Sequence, residues 1–253
     1  MIYSSLATLE SFTIAYTESD VFGKLIILSL ILLSALCWVV VCFKVWQAKK
    51  VKKLSHAFEK ALKKYKDDLL SADFKNLPRP AHPRIPNPYA CILRDVNEKT
   101  LETLNKKLFF IEKMPKTSES KPEAYLSNTD IELLESYAYT TISSQSKILE
   151  KDLFILSTVV TLAPFLGLLG TVWGILVTFS ELQHGASAGS NATIIGGLST
   201  ALSTTVLGLV IAIPALIAYN YLKNNLKTFS ADMEDFLHNI LSTLELQYRK
   251  VDI

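Results

Sequence analysis

The sequence predicts an all-α membrane protein with three transmembrane helices, long helices that extend into the cytoplasm, a periplasmic N-terminus and a cytoplasmic C-terminus. Three observations predict this fold class. Hydrophobic residues make up 49% of the 253 residues, and the mean hydropathy of +0.27 exceeds the norm for soluble proteins. Long runs of the chain contain no charged residue, and lysines gather at one end of each run.

The first predicted span covers residues 23–44 and follows a periplasmic segment, residues 1–22. Residues 25–43 carry no charge, and at about 1.5 Å per residue they are long enough to cross a hydrocarbon core about 30 Å thick. A cleaved signal peptide is the alternative. Because a basic segment is missing and acidic residues precede the run, the pattern favours a retained anchor.

The second and third predicted spans, residues 152–180 and 192–222, form a helical hairpin joined by a periplasmic loop at 181–191. Lysines determine the orientation, because cytoplasmic flanks of membrane spans are enriched in them. Neither the first 22 residues nor the hairpin loop contains Lys or Arg. The flanks on the other side contain Lys44, Lys49, Lys50, Lys52, Lys53, Lys147, Lys151, Lys223 and Lys227.

The predicted cytoplasmic region, residues 45–151, reads as helical. Over residues 45–74 the apolar side chains recur three or four apart and define one stripe. A proline-rich loop at 76–90 follows, then a second helix from about residue 89 to 113. Asn128 to Asp130 open a third helix that we expect to run straight into the second span.

The cytoplasmic C-terminal helix, residues 223–253, carries a similar apolar stripe. These stripes require helical partners. The sequence leaves open whether they pack against each other in one protomer or against neighbouring subunits.

Both hairpin helices are rich in small and hydroxylated residues, as in the spacing of Gly170 and Gly174, which suits close approach of two helices. One ridge of the third span contains Gly196, Thr200, Thr204 and Gly208. The hydroxyls either line a hydrated ion route or bond to carbonyls of their own helix, and both interpretations remain open. Prolines inside the spans, Pro164 and Pro214, are expected to free carbonyls and kink the helices.

Neither hairpin span contains Asp, Glu, Lys or Arg. A proton relay needs a titratable group near mid-membrane. If this chain moves protons, a partner helix must therefore supply the carboxylate.

Several function classes find no support. Cys37, Cys42 and Cys91 form no CxxC pair, the histidines are scattered, and no P-loop or nucleophile elbow occurs. We therefore expect no enzyme, no metal and no cofactor. The formal net charge of +2 gives no reason to expect nucleic-acid binding.

Residues 163–174, APFLGLLGTVWG, closely resemble the second-span signature of the TolQ/ExbB branch of the MotA/TolQ/ExbB proton-channel family. Residues 196–205, GGLSTALSTT, with Gly208 and the stretch from Ala212 to Asn220, resemble its third-span signature. Three spans, where flagellar stators of the MotA type have four, favour the TolQ/ExbB branch.

This resemblance implies a homopentamer whose second and third spans surround the helices of a dimeric, single-span partner of the ExbD/TolR type that carries a membrane aspartate. The family's pore threonines correspond to Thr171 and Thr205. With the ridge residues Thr200 and Thr204 they form the predicted ion pathway. The predicted packing and kink positions are Pro164, Gly167, Gly170, Gly174, Gly196, Gly208 and Pro214.

One position departs from the family pattern: Thr200 stands where many TolQ and ExbB members carry a glutamate. The change removes a charge from this subunit. It leaves sodium open as an alternative to the proton.

These observations predict a multi-pass protein of the bacterial inner membrane. It would act as the channel or stator subunit of an energy-transducing motor that couples proton motive force to TonB-type transport or Tol-type envelope maintenance, with a TonB- or TolA-like protein as a further partner. The alternative is a non-conducting membrane scaffold that recruits partners through its cytoplasmic helices.

Overall fold

The computed structural model describes residue 16 and residues 20–63, 85–113, 125–183 and 191–248. These residues form five long helices: α1 (Val21–Leu62), α2 (Pro88–Lys113), α3 (Asn128–Glu150), α4 (Leu153–Gln183) and α5 (Asn191–Tyr248). The chain divides into two compact units. The first unit comprises Met1–Lys44 and Asp152–Lys223, and the second comprises Val45–Lys151 and Asn224–Ile253.

Three helices, α1, α4 and α5, are long and apolar enough to cross a membrane. This confirms the predicted all-helical fold class with three candidate spans. Pro164 lies inside α4 and Pro214 inside α5, and both helices continue past the proline.

The second unit is a bundle of four helical segments that share one hydrophobic core, contributed by α2, α3 and the C-terminal parts of α1 and α5. Tyr89 of α2 stacks on Phe229 and Phe236 of α5, with ring centroids 6.0 and 4.2 Å apart. The Tyr89 hydroxyl donates to the Asp232 carbonyl at 3.1 Å. Burial, and then the negative charge of Asp232, raise the pKa of Tyr89, so the phenol remains a donor. The apolar stripes of these helices therefore pack against each other within one protomer.

The start of α3 is fixed by a capping box. The Ser127 backbone N–H donates to the Asp130 carboxylate at 2.6 Å, and Ser127 Oγ accepts from the Asp130 N–H at 3.4 Å. Lys107 of α2 pairs with the same carboxylate. The prediction that residues 128–130 open a helix is confirmed, because Ser127 and Asp130 satisfy N–H groups that the first turn leaves unbonded.

The prediction that α3 runs straight into the second span is wrong. A helix break separates Glu150 from Leu153, and Asp152 adopts a left-handed backbone conformation with φ of 72°. Aspartate tolerates this conformation better than most residues. The Asp152 carboxylate also lies 3.7 Å from Nζ of Lys44, a side chain that is only 4% exposed, so the break carries the counter-charge of a buried lysine.

Two further predictions fall partly on residues that lie outside the described ranges. The helix predicted over residues 45–74 is present to Leu62, and the remainder lies outside the described residues. Residues 76–84 of the predicted proline-rich loop, 76–90, also lie outside the described residues. Helix α2 begins at Pro88, inside the range predicted as loop. Proline is compatible with the first turn of a helix, because the N–H that it lacks would have no partner there.

Candidate ion-pathway site

The site is built where small residues allow α4 and α5 to approach each other closely. A methyl group placed on Gly170 would lie 2.3 Å from Thr204 Oγ1, and one on Gly208 would lie 2.5 Å from the Ala163 carbonyl oxygen. On Gly174 it would lie 2.7 Å from the Ala201 Cβ. The small residues thus allow the two backbones to meet, as the spacing of Gly170 and Gly174 predicts.

The two threonines that the resemblance assigns to the pore are neighbours across this contact. Thr205 Oγ1 of α5 donates to the Gly167 carbonyl of α4 at 2.9 Å and lies 3.4 Å from Thr171 Oγ1. Thr171 in turn donates to the Leu168 carbonyl of its own helix at 2.7 Å. Both side chains are partly exposed. They form a hydroxyl pair at the edge of the contact, next to one another and within reach of an outside ligand.

Thr204, one residue earlier, has a different environment. Its side chain is only 3% exposed, and it donates to the Ala201 carbonyl at 2.7 Å with the Gly167 carbonyl at 3.3 Å. It fills the space that Gly170 leaves open. The structure therefore places Thr204 inside the helix contact and Thr205 at its edge.

The other predicted site positions have simpler surroundings. Thr200 and Gly196 belong to α5, but the Thr200 side chain lies outside the described part of the chain. A methyl group on Gly167 would lie 2.9 Å from the Thr204 carbonyl oxygen, so this position also belongs to the helix contact. Pro164 and Pro214 have no N–H, so the carbonyls of Val160 and Val210 lose their usual helical donor.

The opposite face of the hairpin is bulky, apolar and exposed. On α5 it includes Leu198, Leu202, Val206 and Val210, and on α4 it includes Val172 and Leu176. The hairpin therefore has a small, hydroxylated side and a bulky, apolar side.

A polar contact that sequence reasoning missed ties α1 to α4. The Asp20 carboxylate accepts from the Trp173 indole N–H at 2.8 Å and caps α1 by accepting from the Gly23 N–H at 2.9 Å. The rings of Phe22 and Trp173 lie 4.4 Å apart. The available signal was the position of Asp20 just before an apolar helix, which is typical of an N-cap.

Charge is excluded from the centre of this first unit. Between Leu153 and Ser180 of α4, and between Asn191 and Leu222 of α5, no residue is Asp, Glu, Lys or Arg. Within the ranges that the structure describes, no group of three or more His, Cys, Asp or Glu side chains is arranged to hold a metal ion. The chemistry of the hairpin is therefore that of hydroxyls and carbonyls.

Three long apolar helices, two of them joined by a close contact with paired hydroxyls, are the features of a multi-pass membrane protein. The comparison with protein families makes this specific: residues 94–235, more than half of the chain, match the MotA/TolQ/ExbB proton channel family. The chain belongs to this family.

Curated relatives carry the names of two branches of the family. The chain is 51% identical over 86 residues to the biopolymer transport protein ExbB of Helicobacter pylori, which covers 34% of this chain and 58% of that protein. It is 40% identical over 114 residues to ExbB of Aquifex aeolicus, covering 44% of this chain and 73% of the relative. The Tol-Pal system protein TolQ of Haemophilus influenzae is 36% identical over 99 residues, covering 39% and 43%.

The first and third of these matches therefore span less than two thirds of the relatives' length. The family and its channel character follow from the comparison, and its members are channel or transport subunits and not enzymes.

Proposed function

We propose that this chain is the ion-conducting stator subunit of a bacterial inner-membrane motor. In this proposal it couples proton motive force to an envelope process of the TonB or Tol kind, and a TonB- or TolA-like protein receives the output. The observation that carries the proposal is the Thr171–Thr205 hydroxyl pair at the α4–α5 contact, in a chain of the proton channel family.

Thr171 and Thr205 are the proposed ion-pathway residues, with Thr200 as a further candidate on α5. Their carbonyl bonds orient the hydroxyls and leave oxygen lone pairs for water or an ion. Thr204 would serve the pathway from inside the contact, by fixing the distance between α4 and α5.

The proton carrier itself would come from a partner. Hydroxyls do not titrate near physiological pH, and the hairpin spans contain no ionisable Asp, Glu, Lys or Arg. We infer a single-span partner dimer of the ExbD/TolR type, surrounded by a homopentamer of this chain, with an aspartate near the threonine pair.

The proposed placement in the bilayer is supported by two contacts in the first unit. The Asp20–Trp173 hydrogen bond and the Lys44–Asp152 ion pair bracket about 36 Å of α1 and about 32 Å of α4, close to the thickness of a bilayer core. Charged groups favour the two surfaces. The lysine distribution then puts residues 1–22 and 181–191 outside and residues 45–151 and 223–253 in the cytoplasm.

The experiment is proton flux into liposomes that contain this chain and its single-span partner. Removing the Thr205 hydroxyl takes away one of the proposed oxygen contacts to the ion or its water, so we expect Thr205→Ala to lower flux by about tenfold. Thr205→Leu should abolish flux, and Thr205→Ser should keep most of it. Thr228→Ala is the matched control: it removes a hydroxyl bonded to its own α5 helix at 3.1 Å, beyond the predicted span.

Two results would speak against this function. Unchanged flux in both Thr205→Ala and Thr205→Leu would contradict the pore assignment. Equal flux with a partner whose membrane aspartate is replaced by asparagine would favour the non-conducting scaffold. Repeating the measurement with sodium in place of a proton gradient distinguishes the two ions.

A further inference from the structure

A basic stripe runs along α1 just beyond the apolar part of the helix. It consists of Trp46, Lys49, Lys50 and Lys53. The lysines follow Trp46 by three, four and seven residues, so all four side chains share one helix face. All four side chains are exposed, whereas Val51 and Phe58 on the other side of α1 are buried in the core of the second unit. The stripe therefore faces away from the bundle core.

The positive charge of the stripe is not offset by acidic residues nearby on α1. From Val21 to Phe58, α1 contains no Asp or Glu, and the first carboxylate is Glu59, which lies 3.5 Å from Lys63. Lys52, next to the stripe, pairs with Asp232 of α5 at 3.7 Å. The three lysines of the stripe thus add their charges with no acid on the same helix within a turn.

The stripe begins within the headgroup layer of a bilayer and extends beyond it, at distances from which lysine side chains can bend back toward the headgroups. Lys49, Lys50 and Lys53 lie about 9, 11 and 15 Å along the helix axis from Phe43, the last residue of the apolar run. The headgroup layer is about 5–8 Å thick, and lysine side chains bend back toward it. Trp46 is 47% exposed, and Lys50 Nζ lies 6.0 Å from its ring centre. An exposed tryptophan in this place is typical of a membrane interface.

We propose that the basic stripe is a binding surface for anionic phospholipid headgroups. The three ammonium groups meet the phosphates, and the Trp46 ring lies at the boundary with the acyl chains. Because α1 is continuous with the first span, it holds the lysines close to the headgroups and within reach of them, which favours a lipid over free phosphate. The proposal is independent of the ion pathway, and its test does not use flux.

The test uses Trp46 as the reporter. Trp38→Phe and Trp173→Phe leave Trp46 as the single tryptophan of the chain, and an unchanged helical circular dichroism spectrum shows that this background folds. The protein is reconstituted in bilayers that contain brominated phosphatidylglycerol or, at equal mole fraction, brominated phosphatidylcholine. We expect Trp46 quenching to report about fivefold enrichment of the anionic lipid. The preference should disappear in about 1 M salt, where the Debye length is about 3 Å.

Three matched variants decide the proposal. Replacing Lys49, Lys50 and Lys53 with Gln should bring the two lipids to equal quenching, whereas replacing the same residues with Arg should keep the preference. Replacing Lys60, Lys63 and Lys106 with Gln removes as much charge elsewhere and should also keep it. Taking the ratio of the two lipids corrects for the direct effect of Lys50 on Trp46 fluorescence.

Three outcomes would overturn the proposal. The first is equal quenching by the two lipids in the parent protein. The second is an unchanged preference in the triple Gln variant of the stripe. The third is loss of the preference in inorganic phosphate, compared with chloride at the same ionic strength, which would make the stripe a site for free phosphate.

Discussion

Thr204 and Thr205 are adjacent in sequence and have different surroundings. Thr204 is enclosed against Gly170, and Thr205 reaches the Gly167 carbonyl and Thr171 from the edge of the contact. In the sequence, Thr204 belongs to the hydroxylated ridge of the third span and the resemblance assigns Thr205 to the pore, and both are predicted ion-pathway residues. Neighbouring helix residues point about 100° apart, so only one of the two can face a given partner helix. The sequence does not say where the partner helix lies, so it could not tell the enclosed side chain from the one at the edge.

The tight fit of Thr204 leads to a prediction about size. Gly170→Ala would bring a methyl group to 2.3 Å from Thr204 Oγ1 and 2.7 Å from its Cβ, so we expect a loss of stability of about 1–3 kcal/mol. Adding Thr204→Gly removes the α5 side chain that the new methyl group would meet, so it should recover much of the lost stability. Thermal unfolding of the purified protein, followed by circular dichroism, measures both effects.

Gly208→Ala is the matched comparison. Its methyl group would meet the Ala163 carbonyl oxygen at 2.5 Å, and a backbone atom cannot be trimmed by mutation. Thr204→Gly should therefore give no recovery when it is combined with Gly208→Ala. Equal recovery in the two double variants would show that the α4–α5 contact is looser than described.

Among the helices, the outcome of each prediction depended on whether its signal is local. Hydropathy and length are properties of one segment, so the three spans followed from the sequence. The start of α3 was also local, because Ser127 and Asp130 satisfy each other's backbone. The break at Asp152 was not: no Gly or Pro marks it, and its partner Lys44 lies far away in the chain.

The α3 cap predicts a pH dependence of stability. Burial alone would raise the pKa of Asp130, but hydrogen bonds from Lys107 and Ser127, with the charge of Lys107, lower it below its usual 3.8. A carboxyl with a lowered pKa stabilises the fold above its usual pKa, and this contribution is lost as pH falls through the lowered value. Asp130→Asn should cost about 1 kcal/mol at neutral pH and less in acid.

The measurement is the difference in melting temperature between the parent protein and Asp130→Asn, from neutral pH down to the acid limit of folding. The difference cancels the titration of all other carboxyl groups. Lys107→Gln should raise the pKa of Asp130 and shift the loss of stability to higher pH. A difference that stays constant with pH would show that the Lys107–Asp130 pair does not lower this pKa in solution.

For the whole molecule, the sequence left open whether its apolar stripes pack within one protomer. The structure resolves this for the second unit, where Phe58, Ile92, Leu134 and Met233 come from four helical segments and share one core. Periodicity shows which face of a helix is apolar, but not which distant helix covers it. The proposed ion carrier was beyond the sequence for another reason: the hairpin spans contain no titratable carboxylate, so the proposed function takes this group from another chain.

The orientation of the molecule gives the last prediction. Because the lysines that flank the three predicted spans lie on one side, apart from Lys24 at the start of the first span, we expect the start of α1 outside and the end of α5 inside. Val21 and Leu246 are 83% and 87% exposed, and each is replaced by cysteine after Cys37, Cys42 and Cys91 have been changed to alanine. In spheroplasts, a membrane-impermeant maleimide should label Val21→Cys, and should label Leu246→Cys only after the membrane is opened. Equal labelling of both in detergent is the control for thiol reactivity. The reverse pattern in spheroplasts would invert the topology and put the four-segment bundle outside the cytoplasm.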